Sequence, residues 1–332
     1  MRGKPRERWR SVLVLAGFAT AGFGLGTLQT MPAGARRPAA MPAFWVSDRG
    51  AHEVVGLDRD LVPVRRFALA SPVEVEPAQG GLWVLSARES GPLGPHDLFR
   101  VDYRGTPLAR AAFEAVVDLA TLDGGDALLV EWRVAGARED RALRVGPTGE
   151  VRELASGLGF SCVAGRGPRV VVGTESGEVL AFPADGSGSL LAQRFLGVQI
   201  TDLAPSPHPG TWWALEAGGG SRLFLLDDDL ETSWEVATFL RALHLVPVLR
   251  GRGTGGVWLA DSTEPLVRRY GLEGELEIER GDLPLSGLDR GLALASGGVL
   301  FCAPGALVHV GPDGSLQPGQ GGFRFLVDVT AP

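Results

Sequence analysis

Gly255–Gly274, GGVWLADSTEPLVRRYGLEG, contains one complete structural phrase. It reads as a short buried strand (Val257-Trp258-Leu259), a polar connector, a second strand (Pro265–Tyr270) and a tight turn at Gly271–Gly274. The same phrase recurs seven times, its first strand being AFWVSD from Ala43, GLWVLS from Gly81, ALLVEW from Ala127, RVVVGT from Arg169, TWWALE from Thr211, GVWLAD from Gly256 and GVLFCA from Gly298. Taking the third letter of each as an anchor gives Trp45, Trp83, Leu129, Val171, Trp213, Trp258 and Leu300, spaced 38, 46, 42, 42, 45 and 42 residues apart. A period of roughly 40–45 residues built from short β segments marks the blades of a propeller.

Each phrase ends in a turn rich in Gly, Asp and Pro, such as Asp102–Gly105 or Gly311–Gly314, which supplies the dihedral angles a tight hairpin needs. An alternating strand comes next, as expected at a half-exposed outer edge. Before each anchor strand stands a nearly continuous apolar run, for example Val73–Val75, Val116–Leu119 or Ile200–Leu203, suited to an innermost strand buried on both faces. Four strands per repeat make one blade. The chain enters at Phe44 on an anchor strand and ends on an inner strand, Phe323–Val329, with nothing after it. The reading is an all-β, seven-bladed propeller over 44–332, closed by the C-terminal strand joining the N-terminal blade, which removes two open edges. Six blades is the alternative if one phrase is miscounted.

The first 43 residues differ. A basic start (Arg2, Lys4, Arg6, Arg8, Arg10) leads into the uncharged Ser11–Leu28, and then into Ala33-Gly34-Ala35. This predicts a signal peptide or an uncleaved membrane anchor over 1–35, a Pro/Ala-rich linker over 36–43, and export of the propeller. The 332-residue chain carries a net charge of -7, so it has no basic footprint for nucleic acid. Asparagine is absent, which removes one common metal and sugar ligand. Cys162 and Cys302, assigned to the third and sixth repeats, are expected too far apart to join and are read as small buried hydrophobes.

The pattern of a W-V-type strand and then h-x-h-x-x-x-G resembles NHL-repeat propellers and related exported seven-bladed propellers across residues 44–332. The resemblance implies a rigid platform for a partner. WD dipeptides, Asp-boxes and kelch signatures are not evident.

Repeat symmetry singles out candidate site residues. The residues three places past the anchor, Asp48, Ser86, Trp132, Thr174, Glu216, Asp261 and Ala303, are expected to ring one face of the disc, where Asp48, Glu216 and Asp261 would contribute to a ligand site. Two long connectors on that face, Ala87–Asp97 and Arg133–Arg141, bring Arg88 and Arg133 with mixed charge. His244 and the Asp289-Arg290 pair are candidates for the central channel. The four anchor tryptophans are expected in the wedges between sheets, with Trp132 and Trp212 the more exposed ones. No nucleophile elbow, phosphate loop or spaced histidine pair occurs. The expected function is a non-catalytic, exported binding or scaffold module for an unknown protein or cell-envelope partner, with no cofactor and no metal. The alternative is a metal-dependent propeller hydrolase or lactonase, for which the family's Asn ligands have no counterpart here.

Overall fold

The computed structural model describes residues 41–331, leaving aside 90–93, 133–138, 218, 219, 239, 249–254, 286, 289 and 325. Within them lie seven four-stranded antiparallel sheets, each with its strands in sequence order except the first, where β28 (Leu326–Thr330) pairs with β1 (Phe44–Asp48). Seven blades are present, not six, and the ring closes as the ends of the repeat predict. The remaining inner strands are β4 (Pro72–Ala78), β8 (Ala115–Thr121), β12 (Phe160–Arg166), β16 (Ile200–Pro205), β20 (Leu245–Val248) and β24 (Gly291–Ala293). No helix long and apolar enough to cross a membrane occurs among the described residues.

The core is divided into seven apolar clusters, each built by two neighbouring blades. That division is the reason both faces of the second strand in every blade are apolar. Trp45, Trp83, Trp213 and Trp258 are fully buried in these wedges. Trp212 is buried too, contrary to the sequence expectation. It faces the other neighbour, packs in the cluster of blades four and five, and donates its Nε1 to Asp228 Oδ1 at 3.2 Å. Trp132 is half-buried, its indole bonded to the Phe160 carbonyl. Cys162 and Cys302 are buried and free, in blades four and seven, one blade later than counted from sequence.

Polar bonds also join the blades. Arg65 donates to the Tyr103 carbonyl, Arg100 to Pro147 and Arg144 to Ala184, each at 2.8 Å and each reaching a turn of the next blade. Trp83 and Trp258 donate Nε1 to Gly125 and Gly297, again one blade on. The turns themselves need positive φ at one place, filled by Gly105, Gly149, Gly186, Gly274 and Gly314, but by Leu61 and Leu230 in blades one and five. An L residue is strained there. Both leucines are buried against the core, and that apolar contact offsets the strain.

Candidate functional site

Strand register decides which side chains share a level. In blades two and six, Trp83 stands opposite Arg100 and Trp258 opposite Arg269; in blade three, Arg144 stands opposite Leu128. The structural anchor of blade three is therefore Leu128, not Leu129. Adjacent leucines are indistinguishable to an apolar pattern, so the shift of one was invisible in sequence.

The correction moves the expected face ring. Five residues pair across the same bulge: Asp48 with Leu326, Ser86 with Pro72, Glu131 with Val116, Thr174 with Phe160 and Glu216 with Ile200. Glu131, not Trp132, is the third blade's member. The carboxylates of this level are buried and turned onto backbone. Asp48 accepts from Arg324 N (2.9 Å), Glu131 from Glu114 N (2.8 Å), Glu216 from Val198 N (2.5 Å) and Asp261 from Arg241 N (2.8 Å). Each donor lies in the loop that enters the inner strand of the same blade. Glu131 and Glu216 also hold Arg141 and Arg222, and Asp261 accepts two further amides. These groups fasten loops, and the ring they form does not converge on a point.

Arg88 pairs with Asp97, which Arg110 also reaches at 2.8 Å. These two cations hold the Asp97 carboxyl below its usual range, Arg88 contributing most. Arg133 and Asp289 lie outside the described residues.

Two of the candidates, His244 and Arg290, fall at a different level, each immediately before an inner strand. One residue inward of the bulge, Asp328 stands opposite Ser47, Glu74 opposite Leu85, Asp118 opposite Val130, Cys162 opposite Gly173 and Asp202 opposite Leu215. Extending the ladders of blades six and seven by one residue places His244 and Arg290 at the same height. Seven equivalent positions thus carry four carboxylates, a thiol, an imidazole and a guanidinium around the axis. Glu76, two residues further along β4, adds a fifth carboxylate.

The three aspartates of this level bridge to the following blade. Asp328 Oδ2 accepts from Val75 N (2.8 Å), Asp118 Oδ2 from Val163 N (2.8 Å) and Asp202 Oδ2 from Leu245 N (2.6 Å). Blades one, three and five thereby clasp blades two, four and six. Arg290, in blade seven, reaches across to Glu74 of blade two and, at 3.2 Å, to Asp118 of blade three. His244 Nδ1 lies 3.6 Å from Asp202 Oδ2. Below this level a cavity of about 1200 Å³ runs down to the turns of the opposite face, lined by Glu76, Asp118, Asp202, His244, Arg290 and Asp328 at its inner end.

Five carboxylates share a confined space with one guanidinium. Burial, which disfavours the ionised form, pushes Asp118 and Asp328 up to about 6 and Glu74 and Glu76 well above the ordinary carboxylate range; Arg290 opposes the shift in all four, and neighbouring acids add to it at Glu74, Glu76 and Asp118. Carboxyls titrating near 6 when folded and near 3.8 when unfolded bind more protons in the folded state between those values. Stability in EDTA is therefore expected to rise as pH falls from 7.5 to about 5, by several degrees in melting temperature at roughly 2–4 °C per kcal/mol. A melting temperature that is flat or falls over that interval contradicts this charge arrangement.

No protein-family model and no curated protein matches the sequence. Solved structures do. A functionally unknown protein from Desulfotomaculum acetoxidans aligns at 13% identity over 87% of this chain and 98% of its own, with a TM-score of 0.65. Apo AztD from Citrobacter koseri aligns at 12% identity over 86% and 97%, TM-score 0.58. The WD40 propeller domain of Doa1 aligns at 12% over 77% and 85%, TM-score 0.57. At these identities the likeness concerns the fold alone. The protein is a seven-bladed β-propeller; the NHL-repeat resemblance rests on its loose sequence motifs.

Proposed function

We propose that the protein is an exported, non-catalytic propeller that presents one face of the disc to a protein partner in the cell envelope. The observation that carries this reading is a set of apolar side chains left exposed on the face that carries the connectors into the inner strands. Leu158 (77% exposed), Val198 (52%) and Leu243 (44%) stand on the connectors into three consecutive blades, four, five and six, and Phe195 (65%) ends the outer strand of blade four beside them, hence on the same face. Val62, Leu108, Val151, Leu190, Leu191, Leu276 and Leu316 are exposed toward the opposite face, so a comparison of the two faces is the test of this reading. The Arg88–Asp97–Arg110 network lies toward the same side of blade two, and mixed charge of this kind favours selectivity over raw affinity. The basic and apolar N-terminal sequence supports export. A hydrolase is the weaker reading, because Asp48, Glu216 and Asp261 hold backbone amides.

A photo-crosslinking residue placed at 158 or 198 is expected to trap one discrete partner in the native envelope, and the same residue at 62 or 316, on the opposite side, none. Addition of Leu243→Asp should abolish the product with the melting temperature kept. Equal crosslinking from both faces, or a product indifferent to Leu243→Asp, contradicts the reading.

A further inference from the structure

We propose that the central channel binds one hard divalent cation of calcium size between Glu74, Glu76 and Asp328. The three side chains come from the inner strands of blades one and two, and one oxygen from each lies within 4.8 Å of the others. Calcium binds oxygen at about 2.3–2.6 Å, so oxygens up to roughly 4.8 Å apart can share one ion without strand movement. The donors are all carboxylate oxygen, which suits calcium and disfavours zinc or copper.

Two further observations point to a ligand here. Ser47 stands directly opposite Asp328 in the β1–β28 pair, so the two side chains share a sheet face. Its hydroxyl is fully buried and has no hydrogen-bond partner. A buried orphan hydroxyl is uncommon and costs about 1–3 kcal/mol; the ion, or a water on it, would satisfy it. The Glu76 side chain lines the cavity with no hydrogen bond or salt bridge to any described residue and feels Arg290 only at longer range, while Arg290 engages Glu74 and Asp118 directly. The cation would complete the charge balance that a single arginine leaves short, and the cavity gives it a route from the opposite face.

The site also ties the first blade to the second. Asp328 already accepts the Val75 amide across that boundary, and a shared ion would fasten the strand that closes the ring.

The test uses the full chain freed of metal with EDTA and then titrated with calcium, magnesium or zinc chloride. A single saturable calcium site is expected by calorimetry, together with a higher melting temperature. Terbium, as a calcium stand-in, should give tryptophan-sensitised luminescence that calcium quenches, because Trp83 is the cross-strand neighbour of Glu76. Glu76→Gln should weaken calcium binding at least tenfold. In EDTA that variant should melt no lower than the wild type, since it removes a like charge, which separates loss of the site from loss of the fold. No calcium binding at millimolar concentration, binding unchanged by Glu76→Gln, or a site taken by zinc alone would overturn the proposal.

Discussion

A chain ending at Gly321 is expected to lose cooperative unfolding altogether. The missing segment includes β28, whose Leu326 and Val329 are buried in the cluster joining blades seven and one. Burying two such side chains contributes about 3–6 kcal/mol. The β1–β28 ladder, the Arg324 amide bonded to Asp48 and the Asp328 carboxylate bonded to Val75 N go with it. Domains are stable by only about 5–15 kcal/mol in total, so this loss approaches the whole. The truncated chain also exposes β1 as an open apolar edge, which favours aggregation. Calorimetry and size-exclusion chromatography would read the outcome. A peptide of residues 322–332 added in trans should recover a cooperative transition, and a scrambled peptide should not. A truncated chain that melts like the full one would mean that the terminal strand is dispensable and the closure incidental.

Arg290→Met is expected to be the most damaging single substitution that leaves the shape of the core intact. Arg290 is the guanidinium against which Glu74 and Asp118 are held. Breaking a buried ion pair by removing one partner costs about 3–5 kcal/mol, because the other charge stays buried without compensation. At roughly 2–4 °C per kcal/mol the melting temperature should fall by about 10 °C at pH 7.5. The deficit should shrink near pH 5, where Asp118, titrating near 6, is largely neutral. Arg66→Met is the control. Its pair with Glu53 is exposed, and such pairs are worth about 0–1 kcal/mol. Equal, small losses for both variants, or a deficit independent of pH, would place the Arg290 cluster in a solvated, weakly coupled state.

The difference between the two kinds of site residue explains what was legible in advance. Asp48, Glu216 and Asp261 stand out in sequence because they end conspicuous apolar phrases, and they do occupy one level. Their oxygens, however, are turned inward to amides of incoming loops, a direction that spacing does not encode. The channel carboxylates carry a sequence signal of their own. VVDL at Val116–Leu119, ITDL at Ile200–Leu203 and LVDV at Leu326–Val329 each place one acid inside an apolar inner strand. Buried charge within such a run is the informative departure from pattern. Each acid taken alone resembles a strand-end polar residue. Only the stacking of seven runs around an axis makes the set a site.

Sequence by itself determined the blade count, the strand order within a blade, the wedge-filling role of the anchor tryptophans and the closure by the last strand. All of these arise from local periodicity: an apolar strand two faces deep, a turn that needs glycine or aspartate, and a repeat that cannot bury its faces alone. The tertiary structure decided the register of blade three, the burial of Trp212 and the meeting of Glu74, Glu76, Asp118, Asp202 and Asp328 with Arg290. Those depend on where residues some forty positions apart come to the same height on a closed ring. Register is set by bulges and inter-blade hydrogen bonds, which are long-range terms that no single strand contains.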